Sequence, residues 1–193
     1  MKILREVGIT ILIAVAVFAL LRLTVQSYTV VMSSMEPNFH DGDCIMVNKT
    51  SYRSSGPQRG EVIIFDPPFA SLHPFIKRVI GLPGETVEIK NEKVFIDGIP
   101  LDEEEYITPP PNYTMPATEV PENVYFVLGD NRNSSNDSHN GWTVPRDNII
   151  GKAWFTYWPP SKWKVVKHYS YPELNGAGDQ EMMVSNSFEV QLE

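Results

Sequence analysis

From Val7 to Leu21 the chain carries no charged residue, and Leu23-Thr24-Val25 extends the apolar run past Arg22. The run approaches the ~20 residues that an α-helix needs to cross a bilayer, where only a helix or a closed barrel satisfies every main-chain polar group. It predicts a membrane-spanning helix. Lys2 and Arg5 precede it and, by the positive-inside tendency, hold the short N-terminus in the cytoplasm and send the rest of the chain to the far side. Arg22 sits near the outer end, where its long side chain can reach the interface. The competing reading is a cleaved secretory signal, whose apolar region is usually ~7–15 residues long and ends in a small-residue site. Leu21-Arg22-Leu23 stands where Ala-x-Ala would be expected, so the retained anchor is the reading adopted. A buried core helix fits less well, because the run has no polar face.

Without an anchor of about two dozen residues, the 193-residue chain holds roughly one domain's worth of sequence, hence one core. Lys2, Arg5 and Arg22 against Glu6 leave the first 26 residues at +2, so the remainder carries −10 of the formal −8. That excludes the basic footprint of a nucleic-acid binder. Cys44 is the only cysteine, which rules out an intrachain disulfide and a cysteine-based metal cluster. His40, His73, His139 and His168 show no metal-ligand spacing, and neither a metal nor a cofactor is expected.

After Val25 the texture becomes that of a mainly β fold. Pro and Gly are frequent, apolar stretches shorten to strand length, and no helical period lasts three turns. Cys44–Val47, Glu61–Phe65, Phe75–Ile80, Val124–Leu128 and Ile149–Trp158 read as strands. Thr86–Lys90 and Lys93–Asp97 alternate apolar with polar around Asn91-Glu92, which predicts a hairpin, with Asp97-Gly98 turning the next corner. Residues 103–121, acidic and then proline-rich, read as an exposed insertion loop. Residues 172–193 read as a flexible acidic tail. The expected organisation is thus an anchor over residues 1–26, a β-rich domain over 27–171 and the tail.

The stretch Met32 to Pro37 lies just beyond the apolar run, and Ser34 within it is the candidate nucleophile. A serine hydroxyl attacks only when a base takes its proton. Lys77 sits in the apolar strand Phe75–Ile80, on a face shared with Phe75 and Val79. Burial there disfavours the ammonium and lowers its pKa, so a neutral amine could deprotonate Ser34. On pattern alone Lys77 and Arg78 also read as ordinary edge-strand charges. His40, Lys49 and His139 are further candidate bases.

With these blocks in order the chain resembles the bacterial type I signal peptidases, membrane-anchored serine proteases with a Ser/Lys dyad. The blocks are Ser34-Met35-Glu36-Pro37, Asp41-Gly42-Asp43 leading to Val47-Asn48-Lys49, Arg59-Gly60-Glu61 leading to Phe65, Phe75 to Glu85, and Gly129 to Ser138. The resemblance spans Val25 to about Trp158. It implies an antiparallel β-sheet catalytic domain, with Ser34 as nucleophile and Lys77 as general base. It also implies that Ser135 hydrogen-bonds that lysine, and that Asp130, Arg132 and Asp137 brace the last loop as ion pairs. Substrates would be signal peptides of exported precursors, bound as an added β-strand and cut after Ala-x-Ala sites. Val30, Met35, Phe39, Phe75 and Ile76 fall at or near pocket positions, though each also reads as core. Trp154, Trp158 and Trp163 read equally as lipid-interface or core residues. The expected location is the plasma membrane or a thylakoid-type membrane, with a single span, a cytoplasmic N-terminus and the catalytic domain on the outer face. Membrane lipid and the secretion machinery are the other partners considered.

Three departures accompany the resemblance. Val31-Met32 replaces the Pro-Ser frequent in the family, and Met32 lacks the hydroxyl that helps stabilise the oxyanion. After Ser138 the chain reads His139-Asn140-Gly141-Trp142 instead of Arg-x-Trp-Gly, and Phe39 stands where leucine is common. Two alternatives follow: a catalytically silent relative that binds exported chains, and a membrane serine protease of other precursors.

Overall fold

A computed structural model describes residues 2–175. Helix α1 (Lys2–Thr24) leads directly into strand β1 (Val25–Thr29). Its side chains Ile9, Ile11, Leu12, Ile13, Val15, Val17, Phe18, Leu21 and Leu23 are half or more exposed, Leu12 reaching 69 %. At roughly 25 cal/mol per Å2 of apolar surface, such a face is costly in water and at home in hydrocarbon. The helix ends earlier than expected: Val25 and Gln26, assigned above to the anchor, already pair with Asn48 and Val47.

Twelve strands, all pairing antiparallel, occur among the described residues. Those following β1 are β2 (Cys44–Asn48), β3 (Val62–Phe65), β4 (Phe75–Gly81), β5 (Thr86–Lys90), β6 (Lys93–Ile96), β7 (Ile99–Pro100), β8 (Met115–Glu119), β9 (Val124–Leu128), β10 (Val144–Pro145), β11 (Ile149–Trp158) and β12 (Lys164–Val165). The large sheet runs β1-β2-β11-β3-β4-β9-β10, with β12 pairing β11, and the small one runs β7-β6-β5-β8. The predicted hairpin is β5–β6, with Lys90 opposite Lys93. Asn91 and Glu92 both take positive φ, as do Asp97 and Gly98 at the next corner, the geometry that matches a two-residue turn to strand twist.

The expected loop over 103–121 is largely exposed, but it is not wholly a loop and it contributes to the core. Glu103, Tyr106, Met115 and Val120 are buried, and β8 pairs with β5. Average composition hid this because the residues that turn inward are few: Tyr106, Met115 and Val120 pack with Val87, Ile89 and Phe126, while 116–119 stay exposed. Glu103 is admitted to the interior because Arg132 meets it with two hydrogen bonds of 2.6 Å. Residues 172–175 form a short helix, α2 (Pro172–Asn175), and the rest of the expected tail, 176–193, lies outside the described residues. Trp154, Trp158 and Trp163 are more than half exposed, so the core reading of these three is overturned as well.

Candidate active site

The turn carrying Ser34 is pinned from below and from the side. Met35 and Phe39 are buried in a core layer with Val30, Ile45, Val47 and Ile64. The Phe39 N–H donates to Met35 O (2.9 Å), and the Val30 and Gly42 N–H groups bond Asp43 O (2.8 Å) and Val30 O (3.0 Å). Met32 bends the chain at φ 70°, with its N–H on Asp41 Oδ1 at 2.8 Å. Its side chain is exposed. From the other side Asn131 donates its main-chain N–H to Ser34 O and its amide to Ser33 O, both at 3.1 Å. The Ser34 N–H has no partner among the described residues, so it is available to an incoming anion.

Lys77 reaches the same point from β4. Its Nζ lies 2.7 Å from Ser34 Oγ and donates to Ile76 O at 3.0 Å, with the Phe75 ring centroid 5.4 Å away. The residue is 3 % exposed, and burial lowers its pKa to about 8 against the opposing pull of Asp137 and Asp130. Burial prevails because both carboxylates are engaged elsewhere. Asp130 receives Arg78 Nε and Nη2 at 2.8 and 2.7 Å and Asn38 Nδ2 at 2.8 Å. Asp137 receives the Gly129 N–H at 2.9 Å and pairs with His139 Nδ1 at 2.6 Å. The expected brace is therefore two buried ion pairs, Asp130 with Arg78 and Arg132 with Glu103, together with Asp137 on His139. Arg78 and Glu103, absent from the sequence-derived site, supply one partner of each buried ion pair.

Ser135 departs from expectation. Its Oγ is buried and makes no hydrogen bond, whereas the hydrogen bonds of Lys77 Nζ go to Ser34 and Ile76. What Ser135 does contact is Gly129, where an added Cβ would overlap both Ser135 Oγ and Ser34 O. Gly129→Ala should therefore push the Ser34 turn outward and lower kcat by about a hundredfold, the effect of roughly 1 Å of misplacement, without changing the circular dichroism spectrum.

A cleft of about 620 Å3 opens beside the dyad. One wall is Ser27 to Ser34, the other is His73 to Lys77, and Ser134 and Asn136 close the dyad end. Of the expected pocket residues, Val30, Phe75 and Ile76 line this cleft, whereas Met35 and Phe39 lie in the core beneath it. The turn folds these two back under Ser34, into the layer of Ile45 and Ile64, which line the cleft. Both walls present free main-chain edges: β1 pairs on one side only, with β2, and β4 meets β9 only from Arg78 onward.

The chain is similar to known proteins over most of its length. The family model "Signal peptidase, peptidase S26" matches residues 4–158. The chain is 43 % identical over 169 residues to a probable signal peptidase I-1 of Synechocystis sp., covering 83 % of this chain and 86 % of that one. It is 34 % identical to signal peptidase IB of Staphylococcus aureus, covering 84 % and 94 %. It is 39 % identical to thylakoidal processing peptidase 1 of Arabidopsis thaliana, covering 67 % of this chain and 41 % of the relative.

Proposed function

The chain belongs to the signal peptidase family, peptidase S26, serine endopeptidases that remove signal peptides from exported precursors, and we propose that it cuts them with Ser34 as nucleophile and Lys77 as general base. The observation that carries this reading is the 2.7 Å approach of a buried, depressed-pKa amine to the serine hydroxyl. In the neutral state the amine accepts the Ser34 proton as Oγ attacks the scissile carbonyl, and it then returns that proton to the departing amine. The oxyanion forms against the Ser34 N–H. Met32 supplies no side-chain donor, a loss worth about a hundredfold or more in rate, so the enzyme is slower than one with a hydroxyl there rather than silent.

The precursor enters as an extended strand between the free edges of β1 and residues 75–77, its small side chains before the cut resting against Val30, Phe75 and Ile76. Helix α1 spans the bilayer with its N-terminus in the cytoplasm and holds this cleft at the outer surface. Exposed Trp154, Trp158 and Trp163 rest at the lipid interface, where aromatic side chains with one polar atom are favoured. Cleavage of a precursor with an Ala-x-Ala site in liposomes, compared with Ser34→Ala, tests the reading. The parent should yield one cut and Ser34→Ala none; a cut retained by Ser34→Ala would refute it.

A further inference from the structure

Asn136 holds the dyad end of the cleft and has no part in the account so far. Its Oδ1 accepts two hydrogen bonds, from Trp142 Nε1 at 3.3 Å and Asn140 Nδ2 at 3.1 Å. An indole nitrogen only donates, so the amide oxygen is the atom that faces it, and the amide nitrogen is turned away. That nitrogen, with two N–H donors, has no partner among the described residues, on a side chain that lines the cleft. The arrangement also accounts for the reversed Gly141-Trp142 order. Gly141, at φ 90°, ends the 3-10 turn Ser138–Asn140 and delivers Trp142 to Asn136. The Trp142 ring is then locked edge-on among Phe65, Phe69 and Phe75, at centroid distances of 6.1, 5.6 and 6.4 Å. A donor held by a packed anchor loses little freedom on binding.

The direction of the cleft says what it would bind. Both long walls end at the dyad, and their apolar residues are taken by the precursor before its cut. Ser134 and Asn136 line the same cleft from a third segment, the loop whose Asn131 N–H holds Ser34 O. We propose that Asn136 is a precursor-binding residue for the mature side of the cut, its amide donating to a main-chain carbonyl just after the scissile bond. A main-chain contact of this kind accepts any mature sequence, as a processing enzyme of many precursors requires. The proposal rests on the dyad reading above.

The test uses the full chain in detergent with Ser34→Ala as background. Two peptides are compared, one ending as an amide at the last residue before the cut, the other extended by four residues beyond it. In Ser34→Ala the longer peptide should bind about five- to tenfold more tightly, the worth of one or two neutral hydrogen bonds. Asn136→Asp keeps an oxygen for Trp142 but removes the donor; it should erase that advantage and leave the shorter peptide's Kd unchanged. Trp142→Phe, which keeps the ring packing and frees the amide, should reduce the advantage. Equal weakening of both peptides, or an advantage that survives Asn136→Asp, overturns the proposal. Cutting of the longer peptide by Ser34→Ala, read separately by mass spectrometry, would instead overturn the dyad.

Discussion

Lys77→Met is expected to reduce precursor cleavage by about ten-thousandfold or more, because it removes the proton acceptor from a hydroxyl that is inert without one. The substitution suits the site: Nζ is buried beside the Phe75 ring, and methionine fills a similar volume without a charge to desolvate. The variant should fold, span the membrane and bind the longer peptide, so the loss falls in kcat. Single-turnover cleavage with excess enzyme separates chemistry from binding. Retention of even a hundredth of the parent's rate would mean that another group takes the proton, and His139 is an unsuitable substitute because its Nδ1 is committed to Asp137 at 2.6 Å.

The second large effect is on stability. Asp130→Ala strands the Arg78 guanidinium, which is 1 % exposed and among the described residues otherwise meets Gly60 O and the rings of Tyr106 and Tyr169. Breaking a buried pair from one side costs about 3–5 kcal/mol, a fall of roughly 10 °C in Tm for a chain of this size. Replacing both partners with apolar side chains, Arg78→Met with Asp130→Leu, should recover most of the loss, since neither charge is then left unpaired. Thermal melts of the three proteins check this. A double variant no better than Asp130→Ala would mean that the pair's geometry, rather than its charge balance, holds the last loop against Ser34.

Local signals were legible in the sequence and tertiary ones were not. The apolar N-terminal helix, the five main strands and the β5–β6 hairpin follow from local runs and turns, whose physics is complete within the segment. Ser34 and Lys77 were each recognisable as residue types, yet pattern alone favoured reading Lys77 as an edge-strand charge. Their approach across 43 positions depends on β3 and β4 pairing and on the turn that buries Met35 and Phe39. That same fold-back packs Met35 and Phe39 against Ile45 and Ile64 of the cleft wall. Glu103 looked like a solvated loop acid because its partner Arg132 lies 29 positions away. The Gly141-Trp142 inversion was visible as a departure from the family pattern, but its meaning required the position of Asn136.

The pH dependence of kcat/KM tests the central claim most directly. The protonated Lys77 cannot accept the Ser34 proton, so activity is confined to the neutral amine and must rise as pH rises. With burial lowering the Lys77 pKa to about 8, the account predicts a single alkaline limb with its midpoint near 8. A profile that is already flat above pH 7, or a limb near 6.5 where an ordinary histidine titrates, would contradict the assignment of Lys77 as the base.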